Sequence, residues 1–331
     1  MLRRLFSWLF ILISRTRLFF YRIGLFKSSK VPARVISIGN ISMGGSGKTP
    51  MVLALANDAI AKGHTTAVIE KGYKSGLKSG QVVLSQKGQD DSPDVKLVGD
   101  EAKMVWDSIP TGVRLCVSKN KTQGAILCME KWKDTKIIIV DDGFQHLTLN
   151  RDVDVVLIDA TTGFNDKVFP HGALREPYSS LKRASVVVFT KSDDLKQKEL
   201  DELSDKAKSY NSDIKVFFAK TKFYCSEPLD GKKVLPVSAV YNGAHFRSKL
   251  KGVNAVFEKY MEYSDHRKFT HKDLSDILSF KKNIGAEVIA VTKKDWSKLE
   301  SLMPNNEAVA LCWYEHVIED KEGFLKCCIG S

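Results

Sequence analysis

Ile36-Ser-Ile-Gly-Asn-Ile-Ser-Met-Gly-Gly-Ser-Gly-Lys-Thr-Pro50 is the stretch that decides the fold. The apolar run Val35 to Ile38 reads as a buried parallel strand, and Met51-Val-Leu-Ala-Leu-Ala-Asn-Asp-Ala-Ile-Ala61 reads as an apolar helix. Between them lies a glycine-rich turn ending in Gly47-Lys48-Thr49, and strand, turn and helix in that order are the context of a phosphate-binding P-loop. Gly44, Gly45 and Gly47, with Ser46 among them, let backbone N–H groups turn toward phosphate oxygens. The helix start adds partial positive charge, Lys48 reaches the β- and γ-phosphates, and Thr49 offers its hydroxyl to Mg²⁺. Pro50 falls in the first helical turn, where a missing N–H costs little. The strict motif asks for glycine at position 42, where this chain has Ser42. The stretch predicts nucleoside triphosphate binding.

The flanking sequence extends that reading. Thr65 to Ile69 forms a second strand, ending in the polar loop Glu70 to Gly76. Residues 80–93 read as a hairpin or excursion, and Val98-Gly-Asp-Glu101 leads into a helix through Trp106. Val113 to Val117 is a strand and Lys121 to Lys131 a helix. Ile137-Ile-Ile-Val-Asp-Asp-Gly-Phe-Gln-His146 then places Asp141 and Asp142 at the carboxyl end of a buried strand, where a carboxylate can hold the Mg²⁺ that Thr49 touches. Asp before Gly also makes turns, but the P-loop upstream favours the metal role. Further strands are expected at Val153 to Asp159 and Val186 to Phe189. The alternation describes an α/β fold, a P-loop NTPase-type doubly wound and mostly parallel sheet over residues 31–219. Lys196 to Lys208 is a charged helix, and residues 220–233 read as a loop-rich linker. Val234 to Val240, Glu287 to Val291 and Ala308 to Tyr314 supply strands of a second, smaller α/β domain over 220–331. Two lobes suit a transferase that closes on two substrates.

The net charge of +12 on 331 residues is unevenly placed. Residues 1–34 hold Arg3, Arg4, Arg15, Arg17, Arg22, Lys27, Lys30 and Arg34 and no acid, while the remainder is nearly balanced, which argues against a nucleic-acid surface. Leu5 to Ile13 is apolar apart from Ser7, and it is too short for the ~20 residues a spanning helix needs. No small-residue cleavage site follows, so a signal peptide fits poorly. Residues 1–30 therefore read as an interfacial helix, its apolar face in lipid and its arginines on anionic headgroups. The six cysteines show no CxxC or His-linked spacing, and three of them lie in apolar runs and read as buried thiols in a reducing compartment.

Taken together, Gly39-Asn40 with the P-loop, Lys71-Gly-Tyr73, Gly99-Asp-Glu101, Asp141-Asp-Gly-Phe-Gln-His146, Arg151-Asp152, Pro170-His-Gly-Ala-Leu-Arg-Glu-Pro177 and Ser264-Asp-His266 resemble the tetraacyldisaccharide 4′-kinase family of Gram-negative bacteria. The resemblance implies transfer of the ATP γ-phosphate, with Mg²⁺, to the 4′-hydroxyl of tetraacyldisaccharide 1-phosphate, giving lipid IVA. It implies a monomer on the cytoplasmic face of the inner membrane, held against anionic lipids, which suits the basic N-terminal segment. Among site residues it implies Lys48, Thr49, Asp141 and Asp142 at the phosphates and metal, Asp100 as the base and His266 paired with it. Arg175 would steady the phosphoryl charge or the sugar 1-phosphate, and Lys71, Tyr73, Glu101, His146 and Glu176 would line the substrate site. An acid–histidine pair of this kind can titrate as a unit.

The chain departs from the family pattern at Lys71, where arginine is usual and where lysine cannot make a bidentate phosphate clamp. It departs again in Thr292-Lys-Lys-Asp295, where Thr-Glu-Lys-Asp is expected. One element points elsewhere: Thr190-Lys191-Ser192-Asp193 resembles the guanine-reading segment of GTPases, so a membrane-associated GTPase switch or metal-insertion factor is the alternative.

Overall fold

The computed structural model describes residues 2–44, 47–72, 75–193, 195–240, 243–264 and 267–330. The chain divides into two compact units, residues 1–221 with 316–331 and residues 222–315.

In the first unit the elements follow the order α1 (Leu2–Arg22), β1 (Arg34–Asn40), α2 (Lys48–Ala61), β2 (Thr66–Glu70), β3 (Val82–Gln86), α3 (Val95–Val98), α4 (Asp100–Ser108), β4 (Arg114–Ser118) and α5 (Lys121–Lys131). Then come β5 (Ile137–Asp141), β6 (Val153–Asp159), β7 (Val186–Thr190), α6 (Gln197–Tyr210) and β8 (Lys215–Cys225). The strands lie in the order β8-β7-β6-β1-β5-β2-β4-β3. All neighbours are parallel except β3, which runs antiparallel to β4. The central strands β1, β2, β5 and β7 are near-continuous aliphatic runs because both of their faces are covered. On one face Ile36, Ile38, Val68 and Ile139 pack with Met51, Val52 and Leu55 of α2 and Val105 of α4. On the other, Ala67, Ile69, Ile138 and Val140 pack with Ala125 and Cys128 of α5. This is the α/β, mostly parallel, P-loop NTPase-like fold that the alternation predicts.

The second unit follows the order β9 (Val234–Ser238), α7 (Gly243–Gly252), β10 (Met261–Glu262), α8 (His271–Ile284), β11 (Val288–Thr292), α9 (Lys293–Leu299) and β12 (Val309–Ile318). Its strands lie in the parallel order β10-β9-β11-β12.

Two boundaries differ from the sequence reading. Residues 316–331, grouped there with the smaller domain, belong to the first unit. The helix α10 (Lys321–Ile329) buries Phe324 edge-on against Phe217, Lys321 pairs with Asp58, and Arg34 donates to the carbonyls of Cys327 and Cys328. The segment after 220, read as linker, begins inside β8, whose alternation buries Phe217 and Ala219. All six cysteines are free thiols.

The helix α1 lies on the first unit along one stripe. The Ser7 hydroxyl donates to the Val168 carbonyl at 2.9 Å, Phe10 meets Phe169 edge-on, and Arg17 donates to the Gln145 carbonyl. Its outer side exposes Phe6, Trp8, Leu9, Leu12, Ile13 and Phe19. Among the described residues no helix is long and apolar enough to cross a membrane.

Candidate active site

The site is built where α2 begins. Gly47 caps the helix in the left-handed region (φ 80°), a conformation that glycine adopts without a side-chain penalty. Its carbonyl accepts from Met51 N at 3.2 Å and faces His316 Nε2 at 3.0 Å, and a Cβ at Gly47 would lie 2.0 Å from that nitrogen. A carbonyl only accepts, so Nε2 carries the proton and Nδ1 accepts from the Thr221 hydroxyl at 3.1 Å. Burial drives His316 down to about 4, against the opposing effect of its bond to Gly47. Sequence reasoning did not find His316, which reaches the turn from 269 residues further along the chain.

At the end of β5, two acids separate in role. Asp142 adopts a positive φ of 47°. Its carboxylate takes Arg175 at 3.0 and 2.9 Å and Lys48 at 3.6 Å. Burial would raise Asp142, but Lys48, Arg175 and Lys121 outweigh it and hold the group below the usual carboxylate range. Asp141 accepts from the Asp142 N–H at 2.7 Å, and burial raises it despite Lys48 and Lys121. Lys121 is itself buried, and burial lowers it; its ammonium donates to the carbonyls of Asp141 and, at 2.8 Å, Asp142. Asn120 fixes that lysine by capping α5 through the N–H groups of Thr122 and Gln123.

The block after residue 168 is laced to the loop that follows β1. Met43 N donates to the Ala173 carbonyl, Arg175 N donates to the Ile41 carbonyl at 2.7 Å, and Ser42 bridges Leu174. This aims Arg175 at Asp142 rather than at its neighbour Glu176, which is buried and pairs with Arg183 at 2.8 Å. Arg183 in turn covers the Phe144 ring. Gly39 lies so close to Phe144 that a Cβ there would stand 2.6 Å from the phenylalanine Cβ. His146 Nε2 meets the hydroxyls of Thr122 and Thr148 at 3.1 and 2.9 Å, and burial, aided by Lys121 and Arg151, lowers it to about 4.

Asp100 and Glu101 form the first turn of α4, on the face of the sheet that α2 also covers. No hydrogen bond or ion pair with another described residue engages the Asp100 carboxylate. Lys71 is exposed just past β2. Thr49 and Pro50 follow Lys48 in the first turn of α2, and Gly44 has a φ of 105°. Gly45, Ser46, Tyr73 and His266 lie outside the described residues. The structure thus brings together Lys48, Asp141, Asp142 and Arg175, with Thr49 beside Lys48 in the first turn of α2. The GTPase-like segment is used internally: Lys191 pairs with Asp159, and Asp193 accepts from the Thr221 N–H at 2.9 Å.

The donor set suits a hard dication. Among the described residues no group of three or more His, Cys, Asp or Glu closes on a metal. Mg²⁺ is commonly held by one or two carboxylates, with phosphate and water completing the shell. Asp141 and the Thr49 hydroxyl fit that pattern, and the buried Oε1 of Glu70, which has no partner, lies in the same region.

The family model described as tetraacyldisaccharide-1-P 4′-kinase matches residues 1–325. The chain belongs to that family. Tetraacyldisaccharide 4′-kinase activity in lipid A biosynthesis is the activity of the family and of this chain. A tetraacyldisaccharide 4′-kinase of Halothermothrix orenii is 33% identical over 296 residues, covering 83% of this chain and 76% of that protein. One from Pelobacter propionicus is 30% identical over 321 residues, 95% of this chain and 88% of that protein. The crystal structure of LpxK from Aquifex aeolicus, determined in complex with ATP, superposes with a TM-score of 0.78 at 26% identity, covering 99% of this chain and 98% of the other.

Proposed function

We propose that the chain transfers the γ-phosphate of ATP to the 4′-hydroxyl of tetraacyldisaccharide 1-phosphate at a membrane surface, giving lipid IVA. The observation that carries this reading is the charged cluster at the start of α2, where Lys48 and Arg175 converge on Asp142 beside Asp141. An anionic triphosphate placed on the N-terminus of α2 meets the backbone N–H groups and the Lys48 ammonium. Arg175, fixed by Asp142 and by the Ile41 carbonyl, presents a planar cation to the transferring group. Asp141 and Thr49 would hold Mg²⁺, which would neutralise charge on the phosphates. The 4′-oxygen forms its bond to the γ-phosphorus as the bond to the bridging oxygen of ADP breaks. The hydroxyl proton passes to Asp100, whose carboxylate is not engaged by another described residue, with His266 as its partner. His146, held neutral by burial, stays available as a hydrogen-bonding group of the substrate site together with Glu101, Lys71 and Tyr73.

The outer stripe of α1 supports a peripheral seat on the membrane. Trp8, Leu12 and Ile13 are each at least 60% exposed, and Arg4, Arg15 and Arg22 stand in the same helix to meet anionic lipid. The test is a transfer assay with full-length protein in detergent, Mg²⁺, γ-labelled ATP and tetraacyldisaccharide 1-phosphate, with GTP in parallel. Label moving from ATP to the lipid supports the proposal. Phosphate released from GTP with the lipid unlabelled overturns it in favour of a GTPase.

A further inference from the structure

The last residue of β2 ends in a position that the sequence motifs do not mark. Strands β2 and β5 are parallel neighbours, with Val68 opposite Ile139 and Ile69 opposite Val140, so the next step of the register sets Glu70 beside Asp141. Side chains alternate along a strand. Val68 and Ile139 face α2, and Ile69 and Val140 face α5, so Glu70 and Asp141 both return to the α2 face, where Lys48 and Thr49 open the helix. Glu70 is 5% exposed, and its carboxyl lies within electrostatic reach of Asp141. Its Oε1 is buried with no hydrogen-bond partner, a costly state for a polar atom.

Among the described residues no neighbouring cation hydrogen-bonds Glu70, although Lys121 acts on it through space. Lys121 donates to the carbonyls of Asp141 and Asp142, and Arg175 occupies both oxygens of Asp142. Two carboxyl groups and one vacant buried oxygen remain on the side of the strand ends that the phosphates approach. A hard dication takes that kind of oxygen pair, with phosphate and water filling its remaining positions. We propose that Glu70 is, with Asp141, a second carboxylate ligand of the divalent cation that accompanies the nucleotide. This rests on the assignment of Asp141 to the cation, and the experiment separates the two.

Mn²⁺ binding to the full chain in detergent, with ADP present, is followed by the electron paramagnetic resonance signal of free Mn²⁺. The wild type, Glu70→Gln and Asp141→Asn are compared, and ADP affinity is measured without metal. The proposal expects each variant to weaken Mn²⁺ by about tenfold or more, with metal-free ADP affinity unchanged. Wild-type Mn²⁺ affinity in Glu70→Gln alongside a loss in Asp141→Asn overturns the role of Glu70 and leaves Asp141 in place. Unchanged affinity in both variants overturns the assignment of Asp141 and the proposal with it. Should Glu70→Gln fail to fold, the unmodified chain decides. Fe²⁺ substituted for Mn²⁺, with ascorbate and peroxide, cuts the backbone near the ion. Cuts at the ends of both β2 and β5 support the proposal, and cuts at β5 alone overturn it.

Discussion

Each unit buries a carboxylate near the carboxyl end of a central strand, and the two are treated in opposite ways. In the second unit Asp295 is fully buried just past β11, and each of its oxygens has a donor. One accepts from the Ala239 N–H and the Thr292 hydroxyl, both at 3.0 Å, and the other from the Lys298 ammonium at 3.0 Å. In the first unit Glu70, buried at the end of β2, has a bare oxygen, and the half-buried Asp100 carboxylate at the start of α4 is engaged by no other described residue. A saturated acid holds a fold together. An unsaturated one is held ready for something that arrives later, because the cost of leaving it unpaired is otherwise unexplained.

The sharpest way to break this contrast is to remove one acid of each kind. Asp100→Ala should lower kcat by roughly 10²–10⁴-fold, the usual size of a general-base contribution, while the melting temperature barely moves. Asp295→Ala should do the reverse. It leaves the Lys298 ammonium, which is 3% exposed on its side chain, without a counter-charge, and breaking a buried pair in this way costs about 3–5 kcal/mol. Denaturant unfolding should record that loss while the kcat of the folded fraction stays at the wild-type value. A catalytic loss in Asp295→Ala, or a large stability loss in Asp100→Ala, would undo the contrast.

The two kinds of acid also differ in how far the sequence discloses them. The P-loop, the aliphatic run before Asp141-Asp142 and the strand–helix alternation are local patterns, and the first unit follows them closely. The partnership of Arg175 with Asp142 instead of Glu176 depends on the loop 41–43 meeting residues 173–175. Glu70 gains its meaning only from a parallel register with a strand 67 or more residues away, and a glutamate at a strand end carries no local mark of that. The same holds for β8, whose partners are distant, and for His316, which arrives at the P-loop only after the second unit has been traversed.

His316 offers the next test, because it is a buried group of the first unit that is saturated like Asp295. Its pKa falls to about 4, below the ordinary histidine value, because burial disfavours the charged ring. Between about pH 6.5 and 4 the unfolded chain therefore binds the proton that the folded chain refuses, so stability rises with pH across that window and is lost as the pH falls through it. A shift of this size corresponds to about 3 kcal/mol. Chemical denaturation at pH 7 and pH 4 should show the wild type losing about that much more than His316→Gln, whose amide can still donate to Gly47. Equal losses in the two proteins would mean that the ring is not kept neutral by its surroundings.

The smallest expected effect concerns Lys293, where the family resemblance leads one to expect an acid. Its ammonium lies 3.9 Å from the centroid of the Trp313 ring, and Trp313 donates to Glu315 at 2.7 Å. Burial lowers the Lys293 pKa, partly offset by Glu315. The position is thus a local cation–π and charge contact within the second unit, beside an Asp295 whose bonds are already complete. Lys293→Glu forfeits an attraction of about 0.5–1 kcal/mol and sets two acids near each other, so stability should fall by roughly 1 kcal/mol. The KM for both substrates should stay unchanged, since the substitution leaves every group of the α2 site in place. A shift in KM without a shift in stability would move Lys293 from the saturated class to the unsaturated one, and the departure from the family pattern would then lie in substrate handling instead of packing.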